Sequence, residues 1–185
     1  RIGEIIMAKT LISTHTASSS ATLDITSGID STYPVYEFHY VNMHPATDEV
    51  NFIFQVNASG GGGFNETMTT TFFRAYHGEG GGEELLYLTD YDQAQGTAYQ
   101  PLAYMTGNDG DQSCSGMLTL YDPSSTTFVK HFIARTNDYV GVDAGYSLDD
   151  HVAGYINTTS AIDEISFKFS SGNIDAGTIY MYGVG

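Results

Sequence analysis

The closing part of the chain, residues 162–183, gives the strongest indication of the fold. Here two stretches of alternating apolar and polar side chains flank a Ser-Ser-Gly-Asn segment at 170–173. A period of two is the signature of a half-buried β-strand, and Ser, Gly and Asn favour turns. The pattern predicts a hairpin that closes an all-β sandwich.

A second predicted hairpin gives the clearest periodicity in the chain. Tyr36, Phe38 and Tyr40 share one face of its first arm, residues 44–48 form the turn, and residues 50–56 form the return arm. Further strand-like segments recur between Gly, Pro, Asn and Asp clusters. They are residues 9–14, 21–25, 67–76, 85–88, 98–105, 115–121, 126–135, 151–157, 164–170 and 178–184.

These segments predict an all-β fold, a two-sheet antiparallel β-sandwich of jelly-roll type with about ten strands. Immunoglobulin-like sandwiches are the neighbouring alternative, but they usually have about seven to nine strands in about 100 residues. Only residues 147–151 or the region around 90–95 offer a turn or two of helix.

The domain organisation predicted from the sequence has three parts. Residues 21–185 form one jelly-roll domain, and the Ser/Thr-rich residues 7–20 form an N-terminal arm laid across a neighbour. Residues 1–6 are expected to be an upstream leader or a disordered tail, since Gly-Glu before Met7 can be encoded by a ribosome-binding sequence. Processing of a longer precursor is the alternative.

The charge balance limits the classes of partner. The chain has 22 acidic and 6 basic residues and a formal net charge of −16. Nucleic acids and anionic membranes need clustered Lys and Arg, so neither is an expected partner. No stretch approaches the roughly 20 apolar residues of a membrane-spanning helix.

Possible metal and thiol chemistry is limited. The six histidines show no zinc-binding spacing, and Cys114 at the start of an apolar strand is expected to be a small buried side chain. Calcium prefers clustered oxygen ligands, and Asn108, Asp109 and Asp111 form the best candidate site among several acidic loops that include Asp149-Asp150. A solvated turn is the alternative at Asn108, and no other cofactor is expected.

An enzyme is not expected. Glu37, Glu66 and Glu164 are the candidate carboxylates for a glycosidase, but the chain has no Trp to stack on a sugar. No Gly-x-Ser-x-Gly elbow is present either. The two glycine runs lack the Lys-Ser/Thr of a phosphate-binding loop and are expected to be partner-contact loops. They consist of Gly60, Gly61, Gly62 and Gly63, and of Gly80, Gly81 and Gly82.

Several stretches from Met7 onward resemble virion structural proteins of tailed bacteriophages of marine bacteria. They are residues 7–14, 27–33, 51–55, 68–77, 121–132, 157–163 and the closing segment 162–183. The resemblance covers nearly all of the chain, and it implies a strand order rather than a catalytic site.

The resemblance implies a non-enzymatic protein of the virion, assembled in the cytoplasm of the host bacterium. We expect a capsid decoration or cement protein on the head surface, with the major capsid protein as partner. A homo-oligomer such as a trimer is expected. The alternative is a tail-associated module that binds a receptor or glycan through its loops.

Overall fold

The computed structural model describes residues 8–140 and 145–185, which form thirteen β-strands and one 3-10 helix. The expected leader at 1–6 lies outside the described residues. The strands are β1 (Lys9–Thr16), β2 (Leu23–Ile25), β3 (Val35–Pro45), β4 (Val50–Ala58), β5 (Met68–Gly78), β6 (Glu83–Tyr87), β7 (Ala94–Gly96), β8 (Gln100–Thr106), β9 (Cys114–Tyr121), β10 (Lys130–Val140), β11 (Tyr146–Ile156), β12 (Ile162–Phe169) and β13 (Ile174–Val184). The expected all-β sandwich is therefore confirmed.

Eight of the strands form a jelly roll. Their pairs are nested along the chain: β1 pairs with β13, β2 with β12, β3 with β9, and β4 with β8, all antiparallel. The chain alternates between a sheet that contains β1-β13-β3-β9 and a sheet of β2-β12-β4-β8. This is the arrangement of a long hairpin that has been rolled into two facing sheets.

The remaining five strands widen one sheet only. β5, β6 and β7 are inserted between β4 and β8, and β10 and β11 between β9 and β12. They continue from β9 in the order β10-β11-β5-β6, with β7 also on β5, and bring that sheet to nine strands. The facing sheet ends at β8 and has four strands.

In both predicted hairpins the strands are correct, but the two arms do not pair with each other. β12 belongs to the four-stranded sheet and β13 to the nine-stranded sheet, and β3 and β4 are separated in the same way. Each turn carries the chain from one sheet to the other. The inward faces therefore meet across the core instead of lying side by side.

The core is built from aromatic side chains on these inward faces. The ring of Phe167 lies 5.8 Å from that of Phe38, 5.9 Å from Phe52 and 6.4 Å from Phe54. Phe167 is fully buried, as are these three partners. One side chain of β12 thus contacts β4 in its own sheet and β3 in the facing sheet.

Other expectations need correction. Residues 147–151 lie inside β11 instead of forming a helical turn, and their period of two was hidden because Asp150 occupies an inward position. Near residues 90–95 only Thr89–Tyr91 is helical, and β7 follows it. Residues 8–20 are not a free arm, because β1 pairs with β13 and Ser20 bridges to Ile174 of the same chain.

Phe167→Ala should lower the free energy of unfolding by about 3–5 kcal/mol, because it leaves a cavity between the two sheets. Chemical denaturation followed by circular dichroism measures this change. Phe128→Ala is the matched control: Phe128 is 70% exposed, and its loss should cost under about 0.5 kcal/mol. Equal losses in the two variants would contradict the packing described here.

Candidate functional site

The two glycine runs lie at opposite ends of β5. Gly60–Gly63 belong to the loop at residues 59–67, and Gly80–Gly82 belong to the turn at 79–82. The 11 residues of β5 separate them by roughly 33 Å. A Cβ on Gly60, Gly62, Gly63, Gly81 or Gly82 would meet no atom within 4 Å, so these backbones border open space. The two runs do not form one surface, and their role as partner contacts stays a prediction.

The candidate calcium loop is a turn held by hydrogen bonds within the loop and to the segment between β3 and β4. Asn108 donates its backbone N–H to Asp48 at 3.1 Å, and Asp109 donates its backbone N–H to Gln112 Oε1 at 3.0 Å. Asp111 is exposed. Within residues 8–140 and 145–185 no three His, Cys, Asp or Glu side chains come together as a metal site. Calcium binding here remains untested.

Glu37 lies apart from the other two candidate glycosidase carboxylates. Glu37 lies on the outer face of the nine-stranded sheet beside Lys9 and His39, whereas Glu164 lies on the outer face of the other sheet and accepts from Asn57. Glu66 accepts from the backbone of Ala58. Two catalytic carboxylates must flank one bond at about 5–9.5 Å, so Glu37 cannot pair with Glu164 across the sandwich. Glu66 and Glu164 bind the adjacent residues Ala58 and Asn57, and a catalytic role for them is untested.

Cys114 is buried, as expected. It lies on the inward face of β9, and burial is the main reason that its pKa is raised well above the ordinary value. Asp138, directly opposite on β10, raises the pKa further. Cys114 is therefore a neutral thiol in the core and not a nucleophile.

The five strands that widen the nine-stranded sheet (β5, β6, β7, β10 and β11) are here called the extension. A buried polar cluster lies on its inward face, and the sequence analysis did not identify it. Asp150 of β11 stands directly opposite Arg74 of β5 and Thr136 of β10. The Thr136 hydroxyl lies 2.5 Å from that of Tyr40, and Asp138 is the diagonal neighbour of Asp150 on β10. Asp149, which the sequence grouped with Asp150 as an acidic loop, points to the opposite face and binds Arg135.

Burial dominates the electrostatics of this cluster. It raises the pKa of Asp150 to about 7, although the charge of Arg74 and a 3.0 Å hydrogen bond from the Tyr104 backbone N–H oppose the shift. It also raises the pKa of Asp138 well above the ordinary range, and the charge of Asp150 adds to that rise. Both carboxyls therefore tend to hold protons near neutral pH.

A cavity of about 340 Å³ opens beside this cluster. It forms because the four-stranded sheet ends at β8, so the far part of the extension has no opposing strand. Its lining residues are Arg74, Tyr76, Leu86, Tyr104, Met105, Val140, Tyr146 and Leu148. Met105 has a left-handed backbone, with φ at 55°, where β8 borders the cavity.

Arg74 is the one basic side chain in this lining. Its guanidinium lies over the ring of Tyr104, 4.0 Å from the centroid. Its Nε and Nη1 have no hydrogen-bond acceptor among the described residues. Asp150 Oδ1 likewise has no hydrogen-bond donor there. Tyrosine faces, aliphatic walls and one cation suit a small ring compound that carries hydroxyl or carboxylate groups.

Comparisons with known proteins give no relatives. No family model, no curated protein and no solved structure matches the chain. Within the described residues, no helix has the length and apolar character that crossing a membrane requires.

The stability of the protein should fall as pH rises from about 4 to about 7. The pKa of Asp150 is about 7 in the fold against an ordinary 3.8, so the folded state holds a proton that the unfolded chain releases. Full ionisation would cost at most about 4 kcal/mol. Asp150→Asn should flatten this decline in urea titrations at successive pH values.

Asp149→Asn is the control, because the pKa of Asp149 is lowered, mainly by its hydrogen bond to Arg135. This variant should lose about 1 kcal/mol or less at pH 7 and keep the decline. A decline that persists unchanged in Asp150→Asn would show that Asp150 does not titrate as described.

Proposed function

We propose that this chain is a non-enzymatic structural protein of a tailed-phage virion, which decorates the head and binds the major capsid protein. The observation that carries the proposal is the jelly roll with one sheet widened to nine strands. Jelly rolls are common in viral capsid domains, although a fold by itself does not define a function. The resemblance of the sequence to virion structural proteins supports the same assignment.

The shape of the widened sheet suits this role. β6 and β7 both pair with β5, so the sheet is eight strands across and roughly 38 Å wide at about 4.8 Å spacing. Antiparallel pairing holds all nine strands, and the pairs β1–β13 and β3–β9 within this sheet join segments that are distant in sequence. A rigid, extended face of this kind can cover part of the surface of a shell, a role that needs no catalytic cleft.

The charge also supports a protein partner. A net charge of −16 repels packaged nucleic acid and favours a partner that is neutral or basic at the contact. The exposed glycine runs at both ends of β5 offer backbone groups that such a partner could order.

Immunogold labelling of purified particles from the source of the protein tests this proposal. We expect gold over the heads and hundreds of copies per particle by quantitative mass spectrometry. A few to a few dozen copies with gold at the tail would replace head decoration by the tail-associated alternative. Unlabelled particles would refute a virion role altogether.

The cavity beside Arg74 favours the second candidate, a tail-associated module that binds a receptor glycan. Tyr76, Tyr104 and Tyr146 present rings to this cavity, and rings of this kind stack on sugars. Arg74 would bind an acidic group of the glycan. Jelly rolls also occur in lectins.

For this candidate, a glycan array probed with the purified protein should show binding that falls at least about tenfold in Tyr104→Ala, a loss of about 1.4 kcal/mol. Tyr121→Ala is the matched control, because Tyr121 lies on the outer face of the widened sheet and is 39% exposed. No binding on the array, or equal losses in the two variants, would exclude the cavity as a glycan site.

A further inference from the structure

We propose that two copies of this chain associate through the outer face of the nine-stranded sheet. The contact region, here called the central outer face, consists of the outward side chains of β3, β9, β10, β11 and β5. The alternation of these strands is regular: along β10 every second residue, from His131 to Asn137, is exposed. This inference does not rest on the proposed virion role.

Exposed apolar side chains are concentrated on this sheet. Nine large apolar or aromatic side chains are exposed in the described part of the chain, and eight of them lie on the outer side of the nine-stranded sheet. These are Leu11, Val41, Phe73, Leu85, Tyr87, Met117, Tyr121 and Ile133. The ninth, Phe128, lies in the loop before β10. Large exposed apolar patches mark interaction sites more often than single side chains do.

Side chains of the central outer face pack against one another. Phe73 of β5 stands opposite His151 of β11, and the two rings stack at 4.8 Å with an angle of 6° between their planes. Beside them a shallow groove of about 520 Å³ runs between Ile133, Tyr121 and Tyr155. Side chains that are already fixed lose little entropy when a partner binds.

The charge on this face differs from that of the whole chain. Among the outward side chains of the five strands the acids are Glu37 and Asp149. Lys9 of the neighbouring β1 lies 2.5 Å from Glu37, and Arg135 lies 2.7 Å from Asp149. Glu37, Asp149 and Arg135 give the five strands a formal charge of −1, and Lys9 at the border of the face neutralises it, whereas the chain carries −16.

This balance identifies the occupant as a second copy. Two chains of charge −16 repel over most of their surfaces, and the neutral face is where they can come into contact. The face carries both signs, so Arg135 of one copy can lie near Asp149 of the other in a two-fold arrangement. A strongly basic partner would instead be attracted to the acidic remainder of the surface.

The central outer face is large enough for a dimer interface. Five strands at about 4.8 Å spacing and about seven residues at 3.4 Å give a patch roughly 24 Å on each side. With the relief of its side chains, this patch approaches the roughly 800 Å² per partner that stable interfaces bury. Packing two such faces gives a dimer, rather than the trimer expected from the sequence.

Sedimentation velocity of the purified chain tests the inference. At about 100 µM and 0.15 M salt we expect a dimer, and the dimer should tighten as salt rises, because salt screens the repulsion between the acidic surfaces. Ile133→Glu places a charge in the centre of the face and should weaken association at least about tenfold, since burying an unpaired charge costs more than 1.4 kcal/mol.

Phe128→Glu is the matched control, with the same charge change at a side chain that is 70% exposed. It should remain dimeric. Thr71→Glu, on the same face, replaces Ile133→Glu if circular dichroism shows that the latter does not fold. A monomeric wild-type chain, a trimer, or association that Phe128→Glu weakens as much as Ile133→Glu would overturn the inference.

Discussion

The nested pairing of eight strands organises the whole fold. β1 pairs with β13 and β2 with β12, so the first strands of the chain are fixed only when the last ones are in place. The free energy that offsets this loop closure comes from the aromatic core, where Phe167 and Phe52 stack at 5.9 Å between the two sheets. The other five strands are added to these eight.

The extension results from two insertions, one between β4 and β8 and one between β9 and β12. Both add strands beyond β9 in one sheet, and the other sheet ends at β8. The inner side of the extension is therefore only partly covered, by contact of β8 with β10 and β11. The cavity beside Arg74 and the burial of Asp150 are two results of this unequal width. The broad outer face is the third.

Adjacent acids in β11 show how the fold uses the same residue type in opposite ways. Asp149 faces solvent, and its hydrogen bond to Arg135 lowers its pKa and stabilises the carboxylate. Asp150 faces the interior, where burial raises its pKa to about 7. A one-residue shift in register would exchange these environments, so the alternation of β11 decides both the charge of the outer face and the polarity beside the cavity.

The sequence is sufficient to predict the fold class and most of the strands, because a period of two is a local property of the chain. It also located the buried faces of β3, β4, β12 and β13. The pairing of the strands could not be predicted in this way, because turns that look like hairpins in the sequence pass between the two sheets. The cavity was likewise beyond sequence reasoning: Asp149 and Asp150 read as an acidic loop, although the inward series Leu148, Asp150, Val152 was a usable signal. Arg74 meets Asp150 only because strands distant in sequence become neighbours.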